Sequence, residues 1–209
     1  MTQNIYRMRP QRQSAIPNII FALLIANGLM FAMQQLLSPA VWGGLALWSL
    51  DSPNPPFMPW QLLTYGFLHG DITHIAFNMF GLWMFGRDLE HFMGPRRFIL
   101  YYVTCVVGAG IVQLTVAKLT GSVYPTIGAS GGVFGILLAY GMTYPNRTVV
   151  LLIPPIPMKA KYFVLGFGLL ELYLGVSGRQ PGVANFAHLG GMFFGIALIQ
   201  YWRSAGRPR

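Results

Sequence analysis

The sequence predicts an all-α membrane protein: a six-transmembrane-helix bundle with both termini cytoplasmic and a partly embedded first loop. Three observations carry that expectation. The 209-residue chain is 54% hydrophobic and only 9% charged, with a mean hydropathy of +0.51; a soluble domain carries about 25% charged residues. Its apolar runs approach or reach the ~20 residues that a helix needs to cross a bilayer. Its basic residues cluster on alternate connections between those runs.

Residues 1–15 read as a cytoplasmic tail rather than a cleaved signal peptide, because the polar part is long and the run behind it is of full spanning length. The first helix covers about Ile16 to Leu37. The stretch SPAVWGGLALWSLDSPNPPFMPW follows, with Pro39, Pro53, Pro55, Pro56 and Pro59 too dense for one helix. Trp42, Trp48 and Trp60 suit an interfacial position, so this is the partly embedded loop. The second helix runs from Leu62 to Phe85 with a polar extension to Met93, the third from Phe98 to Leu119, and the fourth from Ser130 to Tyr144, ahead of Pro145. The fifth covers Ala160 to Val176 and the sixth Asn185 to Trp202, so the membrane domain spans residues 16–202 and leaves a tail at 203–209. The single cysteine, Cys105, lies in an apolar run and has no partner for an internal disulfide.

The net charge of +9 is explained by topology. Arg7, Arg9, Arg12, Arg87, Arg96, Arg97, Arg147, Lys159, Lys161, Arg203, Arg207 and Arg209 fall on one side, twelve of the fourteen basic residues, leaving Lys118 and Arg179 for the other. The positive-inside rule makes the rich side cytoplasmic. Attraction to anionic lipid accounts for the rest, so no nucleic-acid partner is invoked. In this orientation the starts of helices two, four and six lie on the outer side, and with them His74, Asn78, Ser130 and His188.

Ser130 sits in GASGGVFG, which contains G-x-S-x-G. In soluble hydrolases that motif is an elbow fed by a strand, and Thr120 to Ala129 offers no convincing one. Ser130 is instead a serine at a helix N-terminus, where free N–H groups and the helix dipole favour an anion. A fourth helix of ~15 residues is roughly 22 Å long, short of the ~30 Å hydrocarbon core. Its start therefore lies below the outer surface, and Gly121 to Ala129 dips into the membrane as non-helical chain, tolerable only where protein or a wet cavity surrounds it.

His188 lies in AHLGGMFFG. An ionisable residue inside a membrane is costly and is a functional hypothesis by default. Ala187, Gly191 and Gly195 form a small-residue strip, matched by Gly131, Gly135 and Ala139 on the fourth helix, and such strips let backbones approach closely. Close contact brings Ser130 within reach of His188 as a serine–histidine dyad, the histidine taking the proton and returning it to the leaving amine. His74 and Asn78 share one face of the second helix, where an amide near the nucleophile can donate to a tetrahedral oxyanion. A zinc reading of the histidines lacks an H-E-x-x-H, a nearby cysteine and a carboxylate placed as ligand; no metal or cofactor is implied. Glu171, in the outer half of helix five, has two readings: a carboxyl bonded to a neighbouring element, or a part of a lateral gate.

GASGGVFG, AHLGGMFFG and HGDITHIAFN, in this order and topology, closely resemble the rhomboid intramembrane serine proteases of bacterial type, over about Ile16 to Trp202. The family's G-x-x-x-E-x-x-x-G motif is matched by GRDLEHFMG, from Gly86 through Glu90 to Gly94, which we read as structural. The resemblance implies Ser130 as nucleophile and His188 as base. It implies an oxyanion site from His74, Asn78 and the main-chain N–H at Gly131, with His69 near a water-filled cavity. It also implies a substrate: the transmembrane segment of another membrane protein, single-span or otherwise, cut near its outer end; the topology suggests a bacterial inner membrane. Two departures stand out. Many members have Trp-Arg where this chain has Trp60-Gln61, and some bacterial members pack a tyrosine on the histidine where this chain has Phe134. Two rival readings are a catalytically silent relative that binds membrane helices, and a small transporter; the second lacks an inverted repeat and a charged path.

Overall fold

The computed structural model describes residues 17–151, 154–179 and 184–206. The tail at 1–15 and the clustered Arg7, Arg9, Arg12, Arg207 and Arg209 lie outside the described residues. In chain order the helices are α1 (Asn18–Leu36), a short α2 (Pro39–Gly43), a single turn α3 (Gln61–Thr64), α4 (Ile72–Met93), α5 (Pro95–Thr120), α6 (Ser130–Thr143), α7 (Ala160–Ser177) and α8 (Asn185–Ser204). Two short antiparallel strands, β1 (Thr148–Val150) and β2 (Pro157–Lys159), lie between α6 and α7, with Val149 opposite Met158. The predicted helices one to six correspond to α1 and α4 to α8. By length and composition α1, α5 and α7 can cross a membrane, and α6 is a shorter apolar helix. α4 and α8 are long as well, but carry His74, Asn78, Arg87, Asp88 and Glu90, or Asn185, His188 and Arg203.

The second helix begins ten residues later than the expected Leu62. After α3 the chain makes a 3-10 turn at Tyr65–Phe67, and Leu68 is then extended (φ −90°, ψ 146°). The helix restarts at an N-cap: Asp71 is extended, and its carboxylate accepts from the N–H of His74 at 2.8 Å. A capping aspartate satisfies an otherwise orphaned donor, so His74 and Asn78 occupy the first two turns of α4.

α4 turns into α5 through Gly94, whose φ of +78° suits glycine and whose N–H donates to the Glu90 carbonyl at 2.8 Å. Pro95 then opens α5, a position where its missing N–H costs nothing. α5 packs against α1, α3, α4, α6 and α8. Gly86 leaves room for Ile20 of α1 and Phe98 of α5 to approach α4. The buried Glu90 caps α1 from outside that helix: its Oε1 and Oε2 accept the N–H groups of Ile19 (3.0 Å) and Ile20 (2.9 Å). Glu90→Gln leaves one carboxylate bond unmade and removes the charge that favours a helix N-terminus. The expected cost is about 1–3 kcal/mol, read as a lower thermal midpoint in detergent with helical content retained.

The first loop is pinned by Gln61. Its Oε1 accepts from Trp48 N–H (3.2 Å), and its Nε2 donates to the carbonyls of Gly44 and Pro56 (3.2 Å each). The neutral amide thus satisfies three backbone groups of the loop.

Candidate active site

Ser130 is the first residue of α6, and the chain before it is held on both sides. Leu47 and Thr126 exchange backbone hydrogen bonds (3.0 and 2.9 Å), and Gly128 N–H donates to the Tyr65 carbonyl at 2.9 Å. These partners satisfy backbone groups of the non-helical chain that leads into α6. Gly128 has φ +127°, and a Cβ there would run into the His74 ring. His74 therefore lies close over the turn that carries the serine. At the helix start, the N–H groups of Ser130 and Gly131 have no intrahelical partner.

Glycines bring the histidine to the serine. A Cβ on Gly191 of α8 would overlap the carbonyl of Gly131, and one on Gly135 would meet the Gly191 carbonyl at 3.2 Å. Gly195, expected in the same strip, instead faces α5, where Tyr101 and Cys105 pack on it; the 100° step of a helix rotates the third member off the seam. With the axes this close, Ser130 Oγ lies 2.7 Å from His188 Nε2. The Phe134 ring stacks on the imidazole, centroids 4.4 Å apart and planes 4° from parallel.

On the far side of the ring, His188 Nδ1 is 2.9 Å from Glu171 Oε2. The ring N–H is not aligned for a formed hydrogen bond, so the contact is an electrostatic one at short range. The same oxygen accepts from Asn185 Nδ2 at 2.7 Å.

His74 Nδ1 accepts from Gly70 N–H at 3.3 Å. A neutral imidazole that accepts at Nδ1 carries its proton on Nε2, the atom turned to the Gly128–Ser130 turn. Asn78 is buried and donates to the His74 carbonyl at 3.1 Å. His69 precedes α4. Its backbone N–H and carbonyl are clamped by Gln34 of α1 (3.0 and 3.1 Å), and its ring stands edge-on to His74 at 5.0 Å. His69 is 1% exposed, and its ring finds no hydrogen-bond partner among the described residues.

The structure thus gathers Ser130, His188, Phe134, Gly131, Gly191 and His74 at one place, with Asn78 and His69 on the adjoining turns. Glu90, Gly86 and Gly94 lie at the other end of α4. Sequence reasoning does not single out Asn185 or Tyr65. Asn185 is legible in principle: three residues before His188 on a helix, it shares that face.

A serine and a histidine are thus paired at the start of a short helix within an apolar helical bundle. Residues 56–204 match the rhomboid domain, and the chain belongs to the rhomboid family. It is 28% identical over 186 residues to Rhomboid protein 1, mitochondrial, of Saccharomyces cerevisiae, covering 88% of this chain and 53% of that protein. To the human presenilin-associated rhomboid-like protein, mitochondrial, it is 26% identical, covering 87% of this chain and 48% of the relative. To rhomboid protease GluP of Bacillus subtilis it is 36% identical over 150 residues, 67% of this chain and 26% of the relative. The chain spans about half the length of the first two. The expectation of a bacterial-type protein in a bacterial inner membrane gains no support here, since mitochondrial names predominate among similar relatives.

Proposed function

We propose that this chain is an intramembrane serine endopeptidase that cleaves transmembrane segments of other membrane proteins near their outer ends. The observation that carries the reading is the 2.7 Å contact between Ser130 Oγ and His188 Nε2 at the start of α6. In this reading six helices span the bilayer, both termini are cytoplasmic, and membrane lipid surrounds the bundle.

As Oγ attacks the scissile carbonyl, His188 takes its proton at Nε2 and later passes it to the leaving amine. The oxyanion that forms is stabilised by the Gly131 N–H, by the Nε2–H of His74, and by the Asn78 amide once it swings from the His74 carbonyl. Water then attacks the acyl-enzyme carbonyl and gives a proton to His188 Nε2; the ester bond to Ser130 Oγ breaks, and His188 returns the proton to Oγ as the carboxyl product leaves. A bilayer helix has its carbonyls bonded internally, so the scissile stretch must unwind, which favours small or helix-breaking residues.

Phe134 keeps the imidazole plane fixed. Phe134→Tyr preserves the stack and is expected to keep turnover within a few-fold, whereas Phe134→Ala frees the ring and is expected to lower kcat by about 10- to 100-fold. Initial rates on one substrate check this.

The direct test incubates purified protein in detergent with a single-span substrate, with Ser130→Ala as the blank. Cleavage that requires Ser130 is the expected result. Cleavage that persists in the alanine variant overturns the dyad, and binding of helices without any cleavage would make the chain a silent helix-binding relative.

A further inference from the structure

Glu171 is the carboxylate that the dyad does not use. It sits in the outer half of α7 and is 8% exposed. A carboxylate at that depth is costly unless partnered, and its partners are two residues of α8. Asn185 and His188 are three apart on one face, and a single oxygen, Glu171 Oε2, lies 2.7 Å from Asn185 Nδ2 and 2.9 Å from His188 Nδ1. His188 is itself 9% exposed, and no other group among the described residues makes a hydrogen bond to its Nδ1.

An imidazole can serve Ser130 only if Nε2 carries the lone pair, which requires the proton on Nδ1. Phe134 fixes the plane of the ring but, being apolar, does not distinguish its two nitrogens. A carboxylate beside Nδ1 does, and it also favours the imidazolium that forms when Ser130 is deprotonated. Asn185 holds the carboxylate in place, and off-line hydrogen bonds in an unliganded site tighten when substrate binds.

We infer that Glu171 is a positioning residue for His188, so that the site works as a Ser130–His188–Glu171 triad, with Asn185 fixing the acid. This rests on the protease reading above. It replaces the lateral-gate reading of Glu171 and agrees with that of a carboxyl tied to a neighbouring helix.

The test compares wild type, Glu171→Gln and Asn185→Ala in detergent, by two readouts. One is kcat and KM on a single-span substrate. The other is the second-order rate of inactivation by a small fluorophosphonate, which needs an activated serine but no helix delivery, normalised to folded protein. Glu171→Gln keeps the shape, the bond to Asn185 and one oxygen, but removes the charge. The expected result is a fall in kcat of about 10²- to 10⁴-fold, an equal fall in the fluorophosphonate rate, and little change in KM. Asn185→Ala, which keeps the acid but loosens it, is expected to show a smaller fall of the same kind. Unchanged inactivation in folded Glu171→Gln, whether or not cleavage or KM changes, overturns the inference in favour of a structural or gating role. Should Glu171→Gln fail to fold, Asn185→Ala decides by the same criterion. If wild type neither cleaves nor labels, it is the protease reading that fails.

Discussion

Replacing Ser130 or His188 by alanine is expected to lower cleavage by about 10⁴-fold or more, and replacing both is expected to do no further harm. The reason is that the 2.7 Å contact makes one chemical unit of the two side chains. Without Oγ there is nothing for the base to activate; without Nε2 the hydroxyl is a weak nucleophile. Each truncation is small in packing terms. Ser130→Ala leaves the His188 acceptor unpaired, a cost of about 1–3 kcal/mol, so the protein stays folded and the loss is chemical. The check is a double-mutant comparison of kcat/KM with thermal midpoints measured alongside. Additive losses from the two single variants would mean that the residues act separately, and the dyad would be wrong.

The parts of this fold that a single residue type dictates are readable in the sequence. The apolar runs, the end of α4 at Met93 and the start of α6 fall where composition and backbone chemistry put them, while α5 begins three residues before the expected Phe98 because Pro95 can open a helix. The start of α4 is hidden, because Leu62 to Phe67 is as apolar as a helix interior. The stop is written in one capping residue, Asp71, whose weight against a continuous apolar run is visible only once its carboxylate is seen on the His74 N–H. The encounter of Ser130 with His188 is readable because both sit on small-residue strips. The partner of Glu171 is not, because it depends on how α7 leans on α8, and an apolar helix with a low-contrast surface carries no periodic signal for its rotation. The role of Gln61 is hidden for a similar reason: an amide can accept and donate at once, and only the loop geometry determines which groups it reaches.

Gly191→Ala is expected to be among the most damaging single-methyl additions in the protein, acting on both stability and catalysis. The Cβ would land on the Gly131 carbonyl, which is backbone and cannot rotate aside. α6 and α8 must part to admit it. Overpacking of this kind costs about 1–3 kcal/mol, occasionally more. Separation also lengthens the Ser130–His188 contact, and a misplacement of about 1 Å can cost on the order of 10²-fold in rate. Gly166 supplies the control: it lies within α7, and a methyl added there would meet nothing within 4 Å. Gly166→Ala is expected to be neutral or stabilising by up to about 1 kcal/mol. Thermal midpoint and fluorophosphonate labelling should both be lower in Gly191→Ala than in Gly166→Ala. A Gly191→Ala protein as stable and as reactive as Gly166→Ala would mean that helix proximity is not what brings the base to the serine, and that the glycines serve packing alone.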